Sequence, residues 1–306
     1  MTRTEAQQQA WQPLPLQDPS ALDHARHALH QAIQWPAAFG RSYQAADPGD
    51  QTASLVWDDA LGGFRSDYVG GMYKYALALN VADFALHFVS WSQEVNERLA
   101  LEGQTAEDVD AWVQQQLEQG HFNVGKYSRQ HPYELPPGIA APEGQLAKPA
   151  QAALVAHTVA YQNAWHTLTA FVQARPGTHP LRMWPHHFDI GSYQVLQPHD
   201  DPEQQKVLGW GYATGDADGL GPYFYAYPWP YPQPDALTRH QLTEGRWQTE
   251  GWTGARLFYS ALAPMQDAAE QNAAAHRFLA EATQALQQEV EALDAGTYVP
   301  YPRATN

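Results

Sequence analysis

The stretch Trp184-Pro185-His186-His187-Phe188-Asp189-Ile190-Gly191-Ser192 combines two imidazoles and a carboxylate with aromatic and β-branched residues. Successive side chains of a β-strand point to opposite faces, so a strand over residues 184–190 would have two different sides. One side carries Trp184, His186, Phe188 and Ile190, and the other carries His187 and Asp189. The stretch therefore predicts a strand with an apolar face in the core and a polar pair on the opposite face.

The pair His187 and Asp189 combines the residue types found in general-base and metal-binding sites. A carboxylate beside an imidazole fixes its tautomer and raises its basicity, and both general bases and metal sites use this arrangement. His187 is the candidate base or metal ligand, and Asp189 is the candidate orienting group or second ligand. Three interpretations stay open: a hydrogen-bonded pair without chemistry, a pocket for an organic ligand, and a site for a divalent metal ion.

The overall composition excludes several classes of function. The chain has 306 residues, of which 44% are hydrophobic, so it can bury a large core. Its 33 acidic and 17 basic residues give a formal charge of −16, which argues against nucleic acid and anionic membranes as partners. Because cysteine is absent, disulfides, thiolate metal ligands and cysteine nucleophiles are excluded. The sequence shows no apolar signal or spanning segment, so we expect a soluble, cytoplasmic protein.

The order of segments predicts an α+β protein with two halves, each running helix, strands, helix. Residues 20–120 form the first half and residues 150–295 the second, with mostly antiparallel sheet packed against long helices. The segment 121–149, rich in Pro and Gly, is predicted to connect the two halves. Residues 1–19 and 296–306 are predicted to be flexible tails.

Further candidate site residues lie in the second half. Glu250, in a predicted hairpin, is the carboxylate that could serve as a second acid or base beside His187 and Asp189. Aromatic and imidazole side chains line pockets for flat ligands, although they also fill cores. The candidate ligand-binding residues of this kind are Trp184, His186, His157, Tyr161, Tyr225, Tyr227, Trp229 and Trp252. The alternative interpretation of His157, on the apolar face of a helix over 150–174, is a hydrogen-bonded core residue.

Two motifs suggest a relationship. They are Trp-Pro-His-His-Phe-Asp at 184–189 and Tyr-Phe-Tyr-Ala-Tyr-Pro at 223–228, the second followed by a strand and a terminal helix. This arrangement resembles a family of uncharacterised bacterial proteins that are grouped as a domain of unknown function. The resemblance covers mainly residues 150–290, and the first half is similar only in its order of helix and strands. It implies a bacterial protein of mixed α and β structure, and it implies no activity.

Familiar catalytic signatures are missing from the sequence. The absence of G-x-S-x-G, of a phosphate-binding G-x-x-x-x-G-K and of H-E-x-x-H disfavours common hydrolase and nucleotide chemistry. We expect an aromatic-lined small-molecule pocket in the second half, and the sequence leaves open whether the protein is an enzyme. Acid–base or metal-assisted hydrolysis would fit the residues. The alternatives are a structural or interaction protein, with a homodimer left open, and a carbohydrate-binding module with Trp229 and Tyr231 exposed in a coplanar row.

Overall fold

The computed structural model describes residues 11–45, 51–92, 94–136, 138–139, 142–201, 204–215 and 221–293. The chain is an α+β protein with two antiparallel sheets, which confirms the predicted fold class. It divides into two compact units. The first unit comprises residues 17–162 and 182–189, and the second comprises the remainder of the described chain. The division between the units falls after residue 16, inside a helix after residue 162, and at the two ends of the segment 182–189.

The first unit starts with two helices, α1 (Pro19–Ala32) and α2 (Gln34–Tyr43). An antiparallel meander in the order β1-β2-β3-β4-β5 follows, with strands β1 (Val56–Asp58), β2 (Gly63–Arg65), β3 (Tyr75–Asn80), β4 (Ala85–Ser90) and β5 (Val95–Ala100). Helix α3 (Ala106–Gln119) comes next. The Thr105 side chain accepts a hydrogen bond from the Asp108 amide, and the Asp108 carboxylate accepts one from the Thr105 amide, which caps the start of this helix.

The core of the first unit lies between α2 and the sheet. Strands β3 and β4 are buried along most of their length, because both of their faces are covered. Phe39 of α2 is fully buried and meets the ring of Phe88 on β4 edge to face, with ring centroids 6.1 Å apart. A buried aromatic side chain of this kind contributes on the order of 1.5–3 kcal/mol. Trp35, also fully buried, donates its indole N–H to Asp110 of α3 at 2.9 Å.

Helix α4 (Gln151–Gln173) contains the division between the units, and strand β6 (Arg182–Trp184) belongs to the first unit, where Met183 pairs with Leu55. The strands of the second unit run in the order β10-β11-β9-β8-β7. They are β7 (Asp189–Gln197), β8 (Lys206–Ala213), β9 (Tyr223–Trp229), β10 (Arg246–Gln248) and β11 (Gly254–Phe258). The helices of this unit are α5 (Pro234–Thr238), α6 (Tyr259–Leu262) and α7 (Ala268–Glu291).

One face of the second sheet packs on α7. Residues that pair directly in an antiparallel sheet lie on the same face, which groups Trp210 of β8 with Ala226 of β9. Trp210 is fully buried and donates its indole N–H to the Thr283 hydroxyl of α7 at 2.7 Å. The helix starts at the side chain of Asp267, which accepts from the Glu270 amide. The opposite sheet face carries Tyr225 and its neighbours on β9, described below.

The N-terminal segment differs from the flexible tail that was predicted for residues 1–19. The Gln271 side-chain oxygen accepts hydrogen bonds from the Trp11 indole and the Leu14 amide, each at 2.9 Å. The Asn163 amide exchanges two hydrogen bonds with the backbone of Gln12. Pro19 already begins α1. The segment is ordered because Gln271, which is fully buried, needs polar partners. Residues 1–10 and the predicted tail at 296–306 lie outside the described residues.

No helix in the described part of the chain combines the length and the apolar character needed to cross a membrane.

Candidate functional site

The stretch from Trp184 to Ile190 is a turn between two strands, and not the continuous strand that the sequence predicted. Strand β6 ends at Trp184, residues 185–188 form a turn, and β7 starts at Asp189. The Phe188 amide donates to the Trp184 carbonyl at 2.8 Å, and Phe188 has a left-handed backbone with φ of 56°. The alternation of faces assumed for His187 and Asp189 is therefore lost. We call residues Trp184–Phe188 the histidine turn.

Two buried side chains donate hydrogen bonds to the backbone of the histidine turn. The Pro185 carbonyl accepts hydrogen bonds from His30 Nε2 and Gln34 Nε2, both at 2.9 Å. Because a carbonyl only accepts, His30 carries its proton on Nε2, and in the described chain no group hydrogen-bonds its buried Nδ1. Burial lowers the pKa of His30 to about 4, against the opposing effect of the Pro185 hydrogen bond. His30 is therefore a neutral donor at neutral pH.

The ring of Phe188 is locked into the core. It stacks on His30 with ring centroids 5.0 Å apart and planes 6° apart, and it meets Tyr161 edge to face at 5.8 Å. Only 2% of Phe188 is exposed. A left-handed conformation costs a non-glycine residue about 1–3 kcal/mol, and such conformations persist only where the surroundings fix them. Here the buried ring and the two anchors on Pro185 provide that fixation.

The turn presents its two imidazoles on the outside, beside other rings. The rings of His186 and His187 are 4.2 Å apart between centroids, and Tyr133 lies 5.2 Å from His186. Tyr133 also stacks on His131 at 4.9 Å and donates its hydroxyl hydrogen to the Gln34 side chain at 3.3 Å. His187 is exposed, whereas His186 is half-buried.

Two imidazoles beside Tyr133, those of His186 and His131, have lowered pKa values. Burial, and to a smaller extent the neighbouring His187, lowers the pKa of His186 to about 4. Burial and the cations of Arg41 and Arg129 lower the pKa of His131 to about 4 as well. Both rings are neutral at neutral pH, and each then has one ring nitrogen able to accept a hydrogen bond. The surface beside Tyr133 therefore offers neutral imidazole acceptors.

His157 and Tyr161, two predicted ligand-binding residues, lie in the core of the first unit. His157 is 1% exposed and its Nε2 donates to the Leu22 carbonyl at 2.9 Å, and burial lowers its pKa to about 4. Tyr161 is fully buried against the ring of Phe64, with centroids 4.8 Å apart. The alternative interpretation of His157 as a hydrogen-bonded core residue is the one the structure supports, because the helical row containing both residues faces inward.

The remaining predicted residues are distributed between the units. Trp184, His186, His187 and Asp189 belong to the first unit, with Asp189 half-buried at the residue following the turn. The second unit contains Tyr225, Tyr227, Trp229, Glu250 and Trp252. Glu250 is exposed in the bend between β10 and β11. Each group is described within its own unit.

In the second unit, three aromatic side chains lie against three glycines of the sheet, with the plane of Trp252 at 86° to that of Tyr225 and at 56° to that of Tyr227. A Cβ at Gly209 would come within 2.0 Å of the Tyr227 ring, and one at Gly211 within 2.2 Å of the Tyr225 hydroxyl. A Cβ at Gly254 would meet Trp252 at 2.4 Å. The ring of Trp252 lies 6.3 Å from both tyrosine rings. These rings, which we call the aromatic floor (Tyr225, Tyr227 and Trp252), are each half-buried.

An arginine is embedded at the edge of the aromatic floor. The Arg256 guanidinium lies 5.1 Å from the centroid of Trp252 and 4.5 Å from that of Tyr223. Only 9% of Arg256 is exposed. Aromatic faces attract cations, so these rings help to hold the charge in a partly desolvated position.

The carbohydrate-binding alternative required Trp229 and Tyr231 to be exposed and coplanar. Trp229 is half-buried, Tyr231 is 4% exposed, and their ring planes cross at 76°. Two rings at this angle cannot stack on the same sugar face, so this row is not present.

No group of three or more His, Asp or Glu side chains in the described ranges is placed to hold a metal ion. His187 and Asp189 therefore lack a third protein ligand of these types within the described chain, and the metal interpretation loses support. An open depression of about 690 Å³ lies on α7 near Arg175, and none of the predicted site residues lines it.

Comparison with known proteins adds no relative. The chain matches no protein-family model, no curated protein and no solved structure.

Three residues beside the histidine turn had no role in the sequence-based site: Gln34 and Tyr133, which contact the turn, and His131, which stacks on Tyr133. Gln34 is buried on α2, and the other two lie in the segment predicted to be a connection. The only available signal was the concentration of rings around Tyr133, because the spacing of residues this far apart carries no information about contact.

Proposed function

We propose that the protein binds a small polar molecule at the histidine turn and that His187 exchanges a proton with it. The observation that carries this proposal is the strained backbone at Phe188, which is held by buried groups and directs two imidazoles outward. Strained non-glycine residues cluster at functional sites, because a strained conformation needs dedicated support. The two hydrogen bonds to the Pro185 carbonyl fix the backbone of the turn next to the imidazoles.

The side chains of the turn are suited to acid–base chemistry. His187 is the exposed imidazole, and histidine is the side chain best suited to proton transfer near neutral pH. The half-buried and neutral His186 supplies a hydrogen-bond acceptor beside it. Tyr133 and Trp184 contribute ring surface next to His186, with centroids 5.2 Å and 6.2 Å away. Asp189, which directly follows the turn, remains the candidate orienting group for His187.

Nuclear magnetic resonance of the imidazole nitrogens tests the proposal. The full chain is titrated with pools of small carboxylates, amines and polyols, and we expect one class to shift the His186 and His187 signals together. His187→Ala should abolish the response, and His24→Ala, which replaces an exposed histidine of α1, should retain it. Absence of any response in every pool, or a response that persists in His187→Ala, would contradict the proposal.

A second variant separates the geometry of the turn from its chemistry. Gln34→Met removes one of the two donors to the Pro185 carbonyl together with the acceptor of the Tyr133 hydroxyl, and it keeps a side chain of similar size. We expect weaker binding of the same ligand class by about fivefold to tenfold, because a less rigid turn has to be ordered on binding. Unchanged affinity in a folded Gln34→Met protein would show that the anchors have no part in ligand binding.

A further inference from the structure

Residues 127–133, which we call the cover segment, lie against the last turn of α2. The Arg41 guanidinium of α2 donates to the Ser128 carbonyl at 2.8 Å, and the Ser128 amide donates to the Ser42 hydroxyl at 3.1 Å. Over this fully described segment the chain forms no helix or strand, so no ladder of backbone hydrogen bonds holds it in place. Its attachment to the first unit therefore depends mainly on side chains.

Three polar atoms where the cover segment meets α2 are buried without a hydrogen-bond partner in the described chain. They are Arg41 Nε, the Tyr127 hydroxyl and His131 Nδ1. A buried polar atom without a partner has lost its hydrogen bonds to water and gained none in return. Opening of the cover segment would return these atoms to water, so their burial weakens the packed position.

Positive charge surrounds His131 in the packed position. Burial and the guanidinium groups of Arg41 and Arg129 lower the pKa of His131 to about 4. Arg129 in turn pairs with Asp110 of α3 at 2.9 Å. A protonated imidazole has two N–H donors, and the packed position supplies no acceptor for the one on Nδ1. Protonation of His131 therefore favours the open position over the packed one.

We propose that the cover segment opens when His131 takes up a proton, and that this opening uncovers the histidine turn by removing Tyr133 from His186. In the packed position the His131 and Tyr133 rings stack with centroids 4.9 Å apart, and Tyr133 lies 5.2 Å from His186. The hydroxyl of Tyr133 is held by a hydrogen bond of 3.3 Å to Gln34, which is long for this type of bond. The regulatory meaning of the opening rests on the proposed function of the turn, whereas the opening itself does not.

Two tyrosine variants test whether the unmatched atoms weaken the packed position. The reporter is the protection of the Ser128 amide against hydrogen exchange, measured by nuclear magnetic resonance on the full chain without ligand. Tyr127→Phe removes an unmatched hydroxyl, so protection should increase about fivefold. Tyr43→Phe is the matched control, because the Tyr43 hydroxyl donates to the Asn123 carbonyl at 3.0 Å and its removal should decrease protection. Decreased protection in Tyr127→Phe would overturn the proposal.

The pH dependence of the same protection tests the trigger. A pKa of 6.5 in the open position and of about 4 in the packed one would raise the open population about twentyfold between pH 7 and pH 5. Solvent screening at the half-buried ring reduces this, so we expect protection to fall about fivefold to tenfold. His131→Phe keeps a ring beside Tyr133 and cannot take up a proton, so this fall should disappear. His24→Phe, the same substitution at an exposed histidine of α1, should retain it. A fall that persists in His131→Phe would overturn the assignment to His131.

Carbethoxylation of His186 by diethyl pyrocarbonate tests the uncovering of the turn. At pH 5.5 the His186 ring should react about threefold faster in the natural chain than in His131→Phe, and at pH 7.5 equally fast. Equal rates at both pH values would overturn the regulation. Because this measurement contains no ligand, its failure leaves the proton exchange proposed for His187 intact, and a failed ligand titration leaves the opening intact.

Discussion

Mild acid is expected to destabilise the first unit through His30 and His157. Both are almost fully buried, and the pKa of each is lowered from 6.5 to about 4 by burial. The unfolded chain therefore binds protons that the folded chain does not, and stability falls as the pH falls. The stabilisation is complete above pH 6.5 and is lost progressively between pH 6.5 and about 4.

The magnitude follows from the size of the pKa difference. One proton of difference between the states corresponds to about 1.4 kcal/mol per pH unit. Because the unfolded histidine is already half-protonated at pH 6.5, lowering the pH to 5 costs about 1.5 kcal/mol for each residue and about 3 kcal/mol for both. This is a large part of the roughly 5–15 kcal/mol by which a folded domain is stable. Stopping at pH 5 avoids the range in which carboxylates titrate.

The assay is hydrogen exchange followed by mass spectrometry on peptides from α1 and from residues 151–162, at several pH values between 5 and 6.5. Other buried histidines also contribute to the slope of unfolding free energy against pH. The comparison that isolates one residue is therefore His157→Gln against the natural chain. Glutamine can still donate to the Leu22 carbonyl, and we expect the slope to decrease by about one proton. Leu154→Ala, a fully buried and non-titrating neighbour, should lower stability equally at every pH. An unchanged slope in His157→Gln would refute the reasoning.

Further predictions concern the second unit and metal binding. Gly211→Ala is expected to lower the free energy of unfolding by more than about 2 kcal/mol, because its Cβ would lie 2.2 Å from the Ile190 carbonyl oxygen. Urea unfolding measures this change. Gly71→Ala is the control, since its Cβ would meet nothing within 4 Å and the variant should be near neutral. Burial alone would raise the pKa of Glu289, but hydrogen bonds from His240 and Arg239 lower this pKa overall. The contribution of the Glu289 carboxylate to stability should therefore be lost as the pH falls below about 4.5. Glu289→Gln should remove this pH dependence from urea unfolding experiments. Metal analysis of protein purified without a histidine tag should find no stoichiometric divalent metal at the histidine turn, and one bound zinc per chain there would contradict this.

Local sequence patterns were sufficient to predict most of the helices and strands. Helix α3, which ends the first predicted half, begins with reciprocal hydrogen bonds between Thr105 and Asp108, a capping arrangement within four residues. The first half was predicted to run helix, strands, helix, and strands β1 to β5 lie between α2 and α3. Strands β3 and β4 are buried on both faces, whereas β9 alternates between buried and half-buried positions over much of its length. These signals act within a few residues, which is why sequence alone determined them and with them the α+β class.

The tertiary structure decided which polar residues matter. His24, His27 and His30 recur at equal spacing on α1, yet only His30 is buried, because the Pro185 carbonyl and the Phe188 ring cover that position. The same contacts replace the predicted strand over residues 184–190 with a turn. Periodicity favoured an extended chain at Phe188, but burial of its ring between His30 and Tyr161 outweighs the cost of a left-handed backbone. Sequence thus determined the elements, and contacts between residues more than a hundred positions apart determined how the histidine turn presents its imidazoles.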